Sequence, residues 1–302
     1  MTDDLSAILE STEPQLLATD LGATEGPQWH PAGFLTFVDM QASRLLRWDA
    51  SGGVQVIREQ TGEGNGCTLD RQGRLVMCEG GHRRVTRMES DGSLTILADR
   101  WQGKRLNRPN DVVCRSDGSL FFTDPELRVP PAEREAGLSG IYCISPQGGL
   151  TLASDECEYP NGLAFSPDER TLYVAISRLD ERCFAEASNG EVCRHRRIRA
   201  FDVDAQGRLS NNRVFVDMSS AEPGVPDGMK VTRNGYLFCT GSGGIWVIDP
   251  QGQRLGVIRV PEVTRNLAFG GPDARTLYMT AGTSLYSLPT KVAGIGNTPP
   301  MG

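Results

Sequence analysis

The sequence predicts an all-β fold, a six-bladed β-propeller with four antiparallel strands per blade. Three observations carry this expectation. A phrase of about a dozen residues recurs six times along the chain. Glycine is abundant, 35 in 302 residues, against a usual share of about 7%, and it sits singly or in pairs between short apolar runs, as turn residues do. A short apolar segment before the first phrase supplies the strand that the last repeat lacks.

The phrase is a polar residue, an apolar run, a turn with Gly or Pro-Asp, and a second apolar run. It opens with Glu25-Gly-Pro-Gln-Trp-His-Pro-Ala-Gly-Phe-Leu-Thr-Phe and recurs from Asn65, Asn110, Asn161, Asp227 and Asn266. The anchors lie 40, 45, 51, 66 and 39 residues apart. Each copy continues through a second hairpin, turning at Asp49-Ala-Ser-Gly-Gly, Ser90-Asp-Gly, Pro146-Gln-Gly, Asp204-Ala-Gln-Gly or Asp249-Pro-Gln-Gly. A closing strand follows, such as Val54-Gln-Val-Ile or Leu94-Thr-Ile-Leu. Four short strands per ~45 residues is the spacing of a propeller blade. The sixth copy stops near Ser284-Leu-Tyr-Ser-Leu, and Leu16-Leu-Ala-Thr-Asp-Leu21 is expected to complete its blade. The chain is therefore read as one domain over 1–302, with a core of about 14–289 and mobile tails at 1–13 and 290–302. Residues 178–197 lack the phrase and read as a loop inserted in blade four. Residues 125–139 read as a shorter insertion at the corresponding point of blade three.

Antiparallel order puts the anchors, the ends of all second strands and both insertions on one face. First strands are innermost in a propeller, so Glu25, Asn65, Asn110, Asn161, Asp227 and Asn266 are expected to crowd one mouth of the central tunnel. Two readings stand for them. Asn and Asp commonly bond local backbone at strand starts. Two carboxylates with several amides also form a hard-oxygen environment suited to Ca²⁺ or Mg²⁺.

Composition narrows the partners. Lys plus Arg total 31 against 38 Asp plus Glu, a net charge of −7, the wrong sign for a general nucleic-acid binder. No apolar run approaches the ~18 residues of a membrane span. The acidic start Met1-Thr2-Asp3-Asp4 is unlike a secretory signal, so a cytoplasmic location is expected. The eight cysteines show no CxxC pair and read as reduced, buried side chains, with Cys67–Cys78 and Cys183–Cys193 left open as pairs. The basic run Arg194-His-Arg-Arg-Ile-Arg199 reads as a solvated strand edge rather than a nucleic-acid patch. There is no Gly-x-Ser-x-Gly elbow and no cysteine–histidine arrangement, which speaks against covalent hydrolysis.

Five motifs carry a family resemblance: Glu25-Gly-Pro, Arg108-Pro-Asn-Asp111, Phe122-Thr-Asp-Pro125, Tyr159-Pro-Asn-Gly-Leu-Ala-Phe-Ser-Pro-Asp168 and Pro226-Asp-Gly-Met229. In this order they resemble the senescence-marker-protein/gluconolactonase/luciferin-regenerating-enzyme family over roughly residues 20–288, and bacterial gluconolactonases most. The resemblance implies a six-bladed propeller with one divalent ion, usually Ca²⁺, with Mg²⁺, Mn²⁺ or Zn²⁺ as alternatives. It implies metal ligands at Glu25, Asn161 and Asp227, with Asn110 in or next to the coordination shell. It assigns Arg108 and Asn110 to substrate.

The expected activity is metal-dependent opening of a sugar lactone, with D-glucono-1,5-lactone to D-gluconate as the first choice and Asp227 as general base. Other sugar lactones, a phosphotriesterase-like activity and a non-catalytic calcium- or ligand-binding propeller are the alternatives. Glu126 is a further candidate for sugar hydroxyls. Asp124 is either a second-strand cap or a site residue, His82 either a substrate contact or an ordinary surface histidine. His30 reads as structural, and Ser242 as part of a strand-end turn.

Overall fold

The computed structural model describes residues 5–177 and 195–296. Six four-stranded antiparallel sheets and a two-stranded ribbon of Arg100–Trp101 with Lys104–Arg105 make up the architecture, and 3-10 turns at Glu126–Arg128 and Pro131–Glu133 are the helical elements among the described residues. In five sheets the strands follow chain order from the inside out. The sixth runs Thr264–Gly270, Thr276–Ala281, Ser284–Pro289 and then the N-terminal strand Gln15–Ala18, which pairs Leu16 with Tyr286. The shared last blade is thus as the sequence predicts, and it ties the two ends of the ring together.

The innermost strands are Thr24–His30, Gly64–Leu69, Val112–Cys114, Pro160–Phe165, Met229–Val231 and Thr264–Gly270, and each touches the next around the ring. Because blades stack face on face, inner strands are buried on both sides. All six residues of Gly64–Leu69 and of Pro160–Phe165 are buried. Closing strands lie at the rim and alternate less cleanly, leaving Val56 and Ile96 exposed. The apolar clusters lie between neighbouring blades; one joins Ala175 and Ile198 of blade four to Met229 and Trp246 of blade five.

Two expectations are corrected here, and the reading of the cysteines as reduced is met where they are described. The presumed tails are packed where described: Leu5, Ile8, Leu9 and Val292 are buried in the cluster between blades five and six, and Leu9 bridges Thr290 while Thr232 bridges Gly294. The second insertion ends earlier than residue 197, since Arg197 already pairs with Ile176 in strand Arg197–Val203; residues 178–194 lie outside the described residues. Cys67 and Cys78 are free thiols; Cys183 and Cys193 lie outside the described residues. No helix among the described residues is long and apolar enough to cross a membrane.

Candidate active site at the channel mouth

The anchors share one local feature: each lies at, or next to, a break or the start of the regular ladder. Pairing register breaks between Glu25 and Gln28, Gly64 and Cys67, Pro160 and Leu163, and Thr264 and Asn266. In blades three and five the inner strand begins only at Val112 and Met229, after Asn110 and Asp227. An interrupted ladder frees a side chain from the alternation of the pleat and re-aims it. The glycine after an anchor then admits the next blade. A Cβ on Gly162 would lie 2.0 Å from the Asp227 carbonyl oxygen, and one on Gly228 2.0 Å from Asn266 Oδ1. Gly26 and Gly66 give the same clearance to Asn65 and Asp111.

At this mouth Glu25, Asn65 and Asp227 line a cavity of about 530 Å³. Glu25 Oε2 accepts from Gly26 N–H at 2.6 Å and from Asn266 Nδ2 at 3.0 Å. Asn266 Oδ1 accepts from Leu267 N–H at 2.9 Å, so its oxygen is committed to backbone. Asn161 differs. Its Nδ2 donates to Ser177 Oγ at 2.8 Å, and its buried Oδ1 has no hydrogen-bond partner. Asn65 Oδ1 is buried and unpartnered as well. Unpaired buried acceptors are costly, and here they accompany crowded carboxylates. Burial, the Glu25 charge and the Asp111 charge push the Asp227 carboxyl well above its ordinary range. Burial and Asp111 likewise raise Glu25.

These residues fit a hard divalent cation: the donors are carboxylate and amide oxygens, two of the amide oxygens are bare, and the acids repel one another. Glu25, Asn161 and Asp227 would hold it; Asn110 is buried as well, and neither asparagine is among the residues that line the cavity. Asp111 belongs to the same centre, 3.5 Å from Asn266 Nδ2, and was missed from sequence. Its signal was present, because four anchors are followed by glycine whereas Asn110 is followed by aspartate.

The candidate substrate residues are placed differently from one another. Arg108 pairs with Glu63, and its backbone N–H donates to Asp124 Oδ1 at 2.6 Å. Asp124 Oδ2 accepts the Asn107 N–H at 2.7 Å; it caps its strand and holds the Arg108 segment. Burial pushes its carboxyl up to about 7. His82 lies against Glu79, Nδ1 to Oε2 at 2.9 Å, and does not line the cavity. Neither do Glu126 and Arg108; from the same 3-10 turn as Glu126 it is Arg128 that does. The basic run is also corrected at one position: Arg196 is 1% exposed and lines the cavity rather than a solvated edge. Its Nη1 donates to Ser242 Oγ at 3.0 Å, which gives that turn serine a role. His30 stacks on Phe34, ring centroids 4.5 Å apart, at the far end of its strand.

Fold and mouth together define a six-bladed propeller with an oxygen-lined polar site where its inner strands begin. A family model described as the SMP-30/Gluconolactonase/LRE-like region matches residues 23–283, and the chain belongs to that family. It is 29% identical over 315 residues to a gluconolactonase of Zymomonas mobilis, covering 96% of this chain and 85% of that one. It is 30% identical over 279 residues to the pentonolactonase XacC of Haloferax volcanii, covering 89% and 84%. Among solved structures, the gluconolactonase XC5397 of Xanthomonas campestris superposes with a TM-score of 0.82 at 36% identity, covering 95% of this chain and 92% of that one.

Proposed function

We propose that the protein is a divalent-metal-dependent hydrolase that opens a sugar lactone, with D-glucono-1,5-lactone to D-gluconate as the first choice. The observation that carries this is a bare, buried Asn161 Oδ1 together with the crowded Glu25 and Asp227 carboxylates. The gluconolactonase and pentonolactonase relatives support the substrate class. When bound, the ion supplies Lewis acidity to the lactone carbonyl. Glu25, Asn161 and Asp227 hold it; Ca²⁺ suits this donor set best. Asp227 accepts the proton of the attacking water. The water oxygen bonds to the carbonyl carbon, the ring C–O bond breaks, and the ring oxygen leaves as a hydroxyl. One proton is released per carboxylate formed. Arg108, swung from Glu63, donates to substrate oxygens.

The test is proton release from a panel of hexono- and pentonolactones and phosphotriesters, with and without chelator. Lactone turnover that chelation abolishes and Ca²⁺, Mg²⁺, Mn²⁺ or Zn²⁺ restores to different degrees supports the reading. Turnover that survives full metal removal contradicts it.

A further inference from the structure

The same cavity carries more positive charge than a neutral sugar lactone uses. Arg128, Arg196 and Arg265 all line it, against Glu25 and Asp227. Among the described residues none of the three has a carboxylate partner, whereas Arg108 is held by Glu63. Arg128 and Arg265 lie near enough to ease the ionisation of Asp227, and Arg265 that of Glu25. Arg196 is the most telling. It is 1% exposed; among the described residues its Nη1 reaches only neutral oxygens of Ser242, Ser220 and Glu222, and its Nε is buried without a partner. A guanidinium kept dry with a spare donor is expensive unless an anion completes it. Its planar fork suits a carboxylate or phosphate. A divalent ion at Glu25 and Asp227 would enlarge the positive excess. The volume, about 530 Å³, is ample for a six-carbon sugar acid.

We propose that the substrate carries a second anionic group remote from the lactone carbonyl, an acidic sugar lactone, received by Arg196 with Arg265 and Arg128. The inference rests on the lactone-hydrolase reading for the reaction, but the anion site itself does not need it. The negative group is a carboxylate or a phosphate ester, and the experiment separates the two.

Three lactones of one hexonic acid are compared by kcat/KM: the neutral sugar, its C6 carboxylate and its C6 phosphate. Binding of the open-chain dicarboxylate and monocarboxylate sugar acids is measured by calorimetry on metal-loaded protein. One anionic lactone is expected to exceed the neutral one at least tenfold, and the better of the two names the group. The dicarboxylate is expected to bind at least tenfold tighter than the monocarboxylate. Arg196→Met should lower the acidic-to-neutral ratio by about 10- to 100-fold, as expected for charged hydrogen bonds. Because Arg196 is buried, the half-buried Arg265→Met serves as the second variant, with a smaller loss in the same ratio. Equal turnover of all three lactones, or equal binding of the two acids, overturns the proposal and leaves the lactone-hydrolase reading intact. Selective dicarboxylate binding without turnover of any lactone supports the anion site and overturns the hydrolase reading instead.

Discussion

Asn161 Nδ2 donates to Ser177 Oγ at 2.8 Å, and that hydroxyl donates on to the Pro226 carbonyl at 2.6 Å. A serine has one proton to give. With it spent on Pro226, the Asn161 amide must present its NH₂ to Ser177, leaving Oδ1 unpartnered. Ser177 thereby orients a proposed ligand and ties it to the residue before Asp227.

Ser177→Ala should therefore weaken metal binding without removing a ligand. Outer partners of metal ligands typically contribute about 10- to 100-fold in affinity. A metal titration followed by calorimetry checks this, and saturating metal should restore most of the turnover. An unchanged affinity would mean that Asn161 is oriented by something else.

Gly162→Ala should damage both the fold and the site. The added Cβ would sit 2.0 Å from the Asp227 carbonyl, a backbone atom that moves only with its blade. Overpacking of this kind costs about 1–3 kcal/mol. Denaturant unfolding should register that loss, and weaker metal binding should accompany it.

Asp124 gives a pH dependence. Its carboxyl goes from an ordinary 3.8 up to about 7 on burial. Because the folded value lies above the unfolded one, its contribution to stability is full below the unfolded value. That contribution is lost as pH rises through the folded one. Activity runs the other way. Protonation removes acceptor capacity from the group that holds the Asn107 and Arg108 N–H groups, so kcat/KM should fall as pH drops below about 7. In Asp124→Asn that limb should flatten. An identical limb in the variant would assign it to another residue.

Arg108→Ala should impair turnover while leaving the metal bound. Loss of charged hydrogen bonds to substrate predicts a fall of about 10- to 100-fold in kcat/KM, carried mainly by KM. Elemental analysis showing an empty site would make the arginine structural.

How far the sequence could be read follows from what each signal encodes. The blades were legible because inner strands need apolar runs and turns need glycine, and both recur at blade spacing. The shared last blade was legible because Leu16–Leu21 stands before Glu25 as other closing strands stand before their anchors. Arg196 was not. A basic run looks solvated in one dimension, and only the packing of blade four against blade five buries one of its members. Leu5, Ile8 and Leu9 lack a strand period, so their docking against blade six shows only in three dimensions. Asp111 hid beside a more conspicuous neighbour, Asn110. Arg128 and Arg265 became site residues because an insertion and a neighbouring blade bring them to the mouth.

The central claim, that Asp227 moves the proton, is tested most directly by turnover of Asp227→Asn against metal concentration, with occupancy measured separately. Asparagine keeps the size and one oxygen ligand but removes the basicity. With the site full, the account predicts a rate still reduced by about 10²–10⁴-fold, the usual contribution of acid–base assistance. Near wild-type turnover in the metal-saturated variant would contradict it.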